Sequence, residues 1–151
     1  MPDLMPPAPR TVHGYTLVEL LICLAVVCTL STLAYPSYSD AITTARRSDA
    51  LTALMGVQLL QERFRADHLS YAELAQLGVD TVSPAKHYEI AVVAHSSRGY
   101  SVRASALGGQ QRDTLCRHLQ LTVDGANVDY ASGATDLADN AATINRRCWR
   151  L

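Results

Sequence analysis

The sequence predicts an α+β fold in which one long N-terminal helix, apolar in its first half and amphipathic in its second, packs against a small antiparallel sheet. Three observations predict it. From Thr11 to Ala45 the chain has no Lys or Arg, its only carboxylates are Glu19 and Asp40, and Leu20 to Ser39 is largely apolar. About 20 such residues span a bilayer as a helix. Ala41, Ala45, Ala50, Leu51, Leu54, Val57 and Leu60 then recur at helical steps, with Arg46, Arg47, Asp49, Gln61, Arg63 and Arg65 filling the other face. Later segments alternate or are rich in β-branched residues and are separated by turn formers, as in a meander. At 151 residues and formal net charge -1, there is room for one modest domain plus an appendage, and no bulk charge that selects a polyanion as partner.

The residues before the apolar run read as a leader. Met1 to Gly14 is proline-rich, with Arg10 and His13 as its basic groups, and translation from either Met1 or Met5 fits. A secretory signal peptide would be cut after the apolar run, at a small-x-small pattern. Here the conspicuous small residue, Gly14, precedes it. Cleavage at Gly14 would keep the run and make Tyr15 the new N-terminus, which divides the chain into a leader (1–14), a membrane half-helix (15–39) and a soluble head (40–151). A carboxylate at the centre of a membrane helix costs about 2.5–3.5 kcal/mol, so Glu19 calls for a partner. The α-amino group of Tyr15, one helical turn away, would supply one.

Pro36 should remove one helical hydrogen bond and kink or loosen the turn before it. No strong stop follows until "RADHLSY", which gives a helix of about 50 residues, roughly 75 Å long. "YAELAQLGVD" reads as a short helical turn closed by Gly78. Strands are expected at Lys86–His95, Gly99–Leu107 and Cys116–Gly125, with a weaker fourth near Ala126–Ala131.

The stretch "GYTLVELLICLAVV" from Gly14, with Glu19 four positions after the aromatic Tyr15 and Pro36 in "LAYPSY", resembles the class III signal of type IV prepilins. "RRSDALTALMGVQLLQERFRADHLSYAEL", the late Cys116 and Cys148, and the terminal "CWR" resemble the PilE-type branch. The family usually has Phe where this chain has Tyr15. The resemblance implies the type IV pilin fold, cleavage between Gly14 and Tyr15, methylation of the new amine, and contact of Glu19 with the amine of a neighbouring subunit. It implies a bacterial inner-membrane protein with a periplasmic head, later part of an extracellular pilus. Its partners would be other pilin subunits, a prepilin peptidase and methyltransferase, the inner-membrane assembly machinery and membrane lipid. The function it suggests first is a minor PilE-like subunit in pilus assembly, twitching motility and adhesion. A competence pilin that binds DNA and a type II secretion pseudopilin are the alternatives.

The resemblance also implies a Cys116–Cys148 disulfide. The enclosed segment is rich in Gly, Asn and Asp, closing it would stabilise by roughly 3–4 kcal/mol, and a head outside the cytoplasm permits oxidation. Two free thiols are the alternative. Cys23 and Cys28 lie in the apolar run and read as small packing residues.

Nothing in the chain reads as catalytic. His13, His68, His87, His95 and His118 are isolated, and there is no HExxH, CxxC, phosphate loop or nucleophile elbow. Neither a cofactor nor a metal is expected; Asp124, Asp129, Asp136 and Asp139 lack the spacing of a calcium loop. A disulfide would draw Arg112, Arg117 and His118 toward Arg146, Arg147, Trp149 and Arg150. That cluster could hold DNA phosphates while Trp149 stacks on a base. The competing expectation, and the favoured one, is that the arginines are offset by the acidic loop and Trp149 plugs the end of the sheet.

Overall fold

The computed structural model describes residues 14–135, 137 and 142–149. The chain divides into two units, Met1–Tyr38 and Ser39–Leu151. Helix α1 spans Leu17–Asp67, 51 residues, and stays helical through Pro36. The proline removes the bond its own N–H would have made and crowds the carbonyl of Thr32, yet the helical run continues past it.

In the first unit every residue from 14 to 38 is exposed. The polar side chains of the run do not point outward for partners: Thr29, Ser31 and Thr32 donate their hydroxyls to the carbonyls of Val26, Val27 and Thr29. This helix is long and apolar enough to cross a membrane, and such back-bonding satisfies hydroxyls that hydrocarbon would leave unpaired.

The second unit is built on a four-stranded antiparallel meander in the order β1-β2-β3-β4. The strands are β1 (Tyr88–His95), β2 (Gly99–Ala106), β3 (His118–Asp124) and β4 (Asn127–Gly133). Burial alternates along β2 and β3, so Tyr100, Val102, Ala104, Leu119, Leu121 and Val123 face a core completed by Ala50, Leu54 and Val57 of α1. Gly99 is required at the β1–β2 hairpin, because a Cβ there would run into the carbonyl oxygen of Val123. Gly125, at φ 61, opens the β3–β4 turn in the left-handed region. The weakly signalled fourth strand is therefore real and two residues longer at its end than expected.

The buried stripe of α1 is Arg47, Ala50, Leu54, Val57 and Gln61. Arg47 and Gln61 were expected on the polar face; both are buried. Each is satisfied by chain distant in sequence, which apolar periodicity does not reveal. Gln61 donates Nε2 to the Ala72 carbonyl at 2.7 Å and accepts from the Ala72 N–H at 2.9 Å. It clamps the segment leaving the helix, just before the 3₁₀ turn at Leu74–Leu77 that closes at Gly78.

Candidate functional site

Two sets of residues bear on function, and the first is the N-terminal determinant. Gly14, Tyr15 and Thr16 precede the helix, with Tyr15 exposed. The Glu19 N–H donates to Thr16 Oγ1 at 3.2 Å, so Thr16 caps α1 and Glu19 occupies the first turn, where a carboxylate favours the helix dipole. The Thr-x-x-Glu spacing is the local signal of this cap. Cys23 and Cys28 are free.

The second set lies at the end of the sheet where β2 leaves and β3 begins. Cys116 and Cys148 are joined by a disulfide, with Cα atoms 5.6 Å apart. The segment it closes holds the two expected strands and more. It holds β3, β4 and a second helix, α2 (Ala142–Trp149), which sequence reasoning missed. Helix α2 packs Ile144, Cys148 and Trp149 on the core and is fixed further by polar side chains. Asn145 bonds Tyr130 O and Ser132 Oγ. Trp149 packs on Tyr130 with ring centroids 4.8 Å apart and donates its indole N–H to Ala131 O.

Trp149 is thus buried, so its ring is not displayed to stack on a base. It plugs the sheet. Of the acidic offset, the parts assigned to Asp124 and Asp129 do not reach this end of the sheet. Asp124 lies at the far end of β3, six residues or about 20 Å from His118 at about 3.3 Å per residue. Asp129 pairs with Thr122, about 13 Å from His118 on the same scale. Asp136 and Asp139, like Arg150 and the leader, lie outside the described residues.

At the disulfide end Glu89 is exposed on β1, in the row Glu89–Ser105–His118, whereas Asp113 is internal. Asp113, buried with Arg47, takes Nε at 2.6 Å and Nη2 at 2.9 Å in a bidentate pair. Arg47 Nη1 also donates to Arg147 O at 3.3 Å, tying α1 to the backbone of α2. Gln110 Nε2 bonds Thr43 O and Tyr88 Oη, each at 2.9 Å. Burial pushes the Tyr88 phenol up to about 12, with the Gln110 hydrogen bond working the other way.

Around Glu89, several arginines stand at this end of the described surface. Arg112, Arg146 and Arg147 are exposed and Arg117 is half-buried. Arg46, which sequence reasoning left on a polar helix face, reaches the same end: its Nη1 would lie 3.6 Å from a Cβ at Gly109. Among the described residues the ion pairs are Arg47–Asp113 and Arg98–Asp124, so none of these surface arginines has a carboxylate partner there. No metal-holding group of His, Cys, Asp or Glu occurs among the described residues.

An exposed apolar helix behind a Gly-aromatic-x-x-x-Glu start, continued by an amphipathic half on a four-stranded meander with a late disulfide, defines a type IV pilin. Family comparison agrees and narrows it. Residues 9–35 match the prokaryotic N-terminal methylation motif. Residues 36–120, more than half of the chain, match the family described as "Type IV minor pilin ComP, DNA uptake sequence receptor". The chain belongs to this family of type IV minor pilins.

Proposed function

We propose that this chain is the DNA-receiving minor pilin of a competence pilus. The observation that carries the reading is a group of arginines at the disulfide end that no carboxylate pairs among the described residues. Arg46, Arg112, Arg117, Arg146 and Arg147 have no ion-pair partner among the described residues, while Asp113 is spent on buried Arg47. Arginine forks suit phosphate geometry, and each phosphate neutralised releases condensed counterions. The description of the matched family, a DNA uptake sequence receptor, supports this reading over PilE-like roles in assembly, twitching or adhesion. The paired late cysteines speak against a secretion pseudopilin.

On this reading a prepilin peptidase removes residues 1–14 and Tyr15 becomes the methylated N-terminus. Residues 15–39 anchor the protein in the inner membrane, with the head in the periplasm, until other pilin subunits and the assembly machinery draw it into the pilus. Glu19 meets the amine of a neighbouring subunit, and Pro36 gives the half-helix its compliance.

The test is binding of duplex DNA to the full chain in detergent across a salt series. Replacing Arg112, Arg117, Arg146 and Arg147 by alanine should flatten the log–log slope by roughly 3.6 units, at about 0.9 per phosphate contact. Salt-independent binding, or a slope the four substitutions leave alone, would overturn the reading.

A further inference from the structure

We propose that the cleft beside the start of β3 seats one phosphate of the DNA backbone between Arg117 and His118, and that protonation of His118 strengthens this seat in mildly acidic medium. The inference rests on the DNA-receiving reading and adds a site and a control to it.

The cleft, about 410 Å³, is lined by Ala106, Gln111, Arg117, His118, Ala134 and Thr135. Its alanines are small enough to leave room for the sugars flanking a phosphodiester. Arg117 Nε is pinned to the Gln111 carbonyl at 2.7 Å. That bond fixes the guanidinium plane and leaves both terminal nitrogens without a hydrogen-bond partner among the described residues. A fork held by one edge is prepared for a phosphate at the other.

His118 Nδ1 lies 3.1 Å from Ser105 Oγ, and no bond among the described residues takes Nε2. Protonation makes both ring nitrogens donors: Nδ1–H stays on Ser105, and Nε2–H becomes available to an anion with a full positive charge behind it.

The groups facing His118 set the direction of the pH effect. Its own strand puts Arg117 beside it. From β2 come Ser105 in the same row and Arg103 one row along, from β4 Gly133, and from β1 Glu89 in the same row beyond Ser105. The 3₁₀ turn at Gly108–Arg112 contributes Gln111 and Arg112. Asp129 is four residues down the sheet, and Asp136 follows Thr135 outside the described residues. Burial first, then Arg103 and Arg117, hold the imidazole below its ordinary range. The ring is therefore neutral at neutral pH and charges as the medium acidifies, so affinity rises as pH falls. By linkage, seating a phosphate takes up a proton.

The experiment measures duplex oligonucleotide binding to the full chain in detergent, in salt series at about pH 7.5 and about pH 5, which bracket an ordinary imidazole. The wild-type slope should steepen by about 0.9 in acid, one added phosphate contact. His118→Gln should lose that change. His118→Lys, which fixes the charge, should show the steeper slope at both pH values. A variant carrying His68→Gln, His87→Gln and His95→Gln should keep the change, as should Asp136→Asn. A wild-type slope equal at both pH values, a pH response that survives His118→Gln, or one that vanishes in Asp136→Asn overturns the seat. Strong DNA binding with no pH term leaves the DNA-receiving reading standing and removes the seat alone. Absence of salt-dependent binding at either pH overturns both.

Discussion

Where β1 turns into β2, Arg98 lies 3.5 Å from Asp124, and both side chains are mostly in solvent, 83% and 62% exposed. At the other end of the same sheet Arg47 grips Asp113 with side chains only 7% and 4% exposed. Both are Arg–Asp pairs, and they do opposite things to the surface. The exposed pair neutralises charge where a ligand would meet it and adds little stability. The buried pair withdraws a carboxylate from the surface and uses it to hold α1 against α2. The arginines around the second pair have no carboxylate partner among the described residues. The position of an acid, more than its count, decides which end of a near-neutral protein attracts a polyanion.

The largest expected effect comes from breaking the buried pair. Asp113→Ala should destabilise the folded head by about 3–5 kcal/mol, because Arg47 keeps its charge and loses its partner. Asp124→Ala at the exposed pair should cost less than about 1 kcal/mol. Thermal unfolding of the two variants side by side tests the contrast, and equal losses would break it.

Next in size is the covalent tie. Cys116→Ser with Cys148→Ser should lower stability by about 3–4 kcal/mol through the longer-ranging unfolded chain. Because Arg146 and Arg147 sit on the helix that Cys148 anchors, it should also weaken DNA binding. Comparing wild-type protein with and without reductant checks both effects.

A smaller contrast separates two buried tyrosines. Tyr88 Oη accepts from Gln110 at the disulfide end, whereas Tyr100 Oη, near the hairpin, has no hydrogen-bond partner among the described residues. Tyr88→Phe should cost about 1 kcal/mol and Tyr100→Phe close to nothing, since removing an unsatisfied hydroxyl forfeits no bond. Burial raises both phenols, Tyr88 to about 12. A phenol whose folded pKa lies above its unfolded value holds its proton more tightly when folded. Its stabilisation is therefore present below about pH 10 and is lost as pH climbs toward the folded value. Alkaline titration of unfolding should show that fall.

Much of this architecture was legible in the residues. The charge-free run, the helical recurrence through Leu60 and the alternation in "GYSVRASAL" each impose one periodicity, and each formed the element it implied. Arg47 and Gln61 were not legible, since a polar residue enters a core only when distant chain satisfies it, and their partners lie 66 and 11 residues away. Helix α2 was hidden because "ATINRRCW" is polar overall and too short for its apolar face of Ile144, Cys148 and Trp149 to show a period; Asn145 and the disulfide complete its hold. The basic cluster was read in part. Arg112, Arg117, Arg146 and Arg147 were named, but Arg46 was missed. The offset assigned to Asp124 and Asp129 failed because strand direction carries them to the other end of the sheet.

The measurement that bears most directly on the account compares equal charge removals at the two ends. In one full-length variant Arg117, Arg146 and Arg147 become alanine; in the other Arg63, Arg65 and Arg98 do. Both lose the same formal charge, so any effect of net charge on duplex DNA affinity is shared. The account predicts that the first variant flattens the log–log salt slope by roughly 2–3 units while the second changes it by less than about one. Equal flattening in both, or the larger loss from the hairpin end, would contradict it.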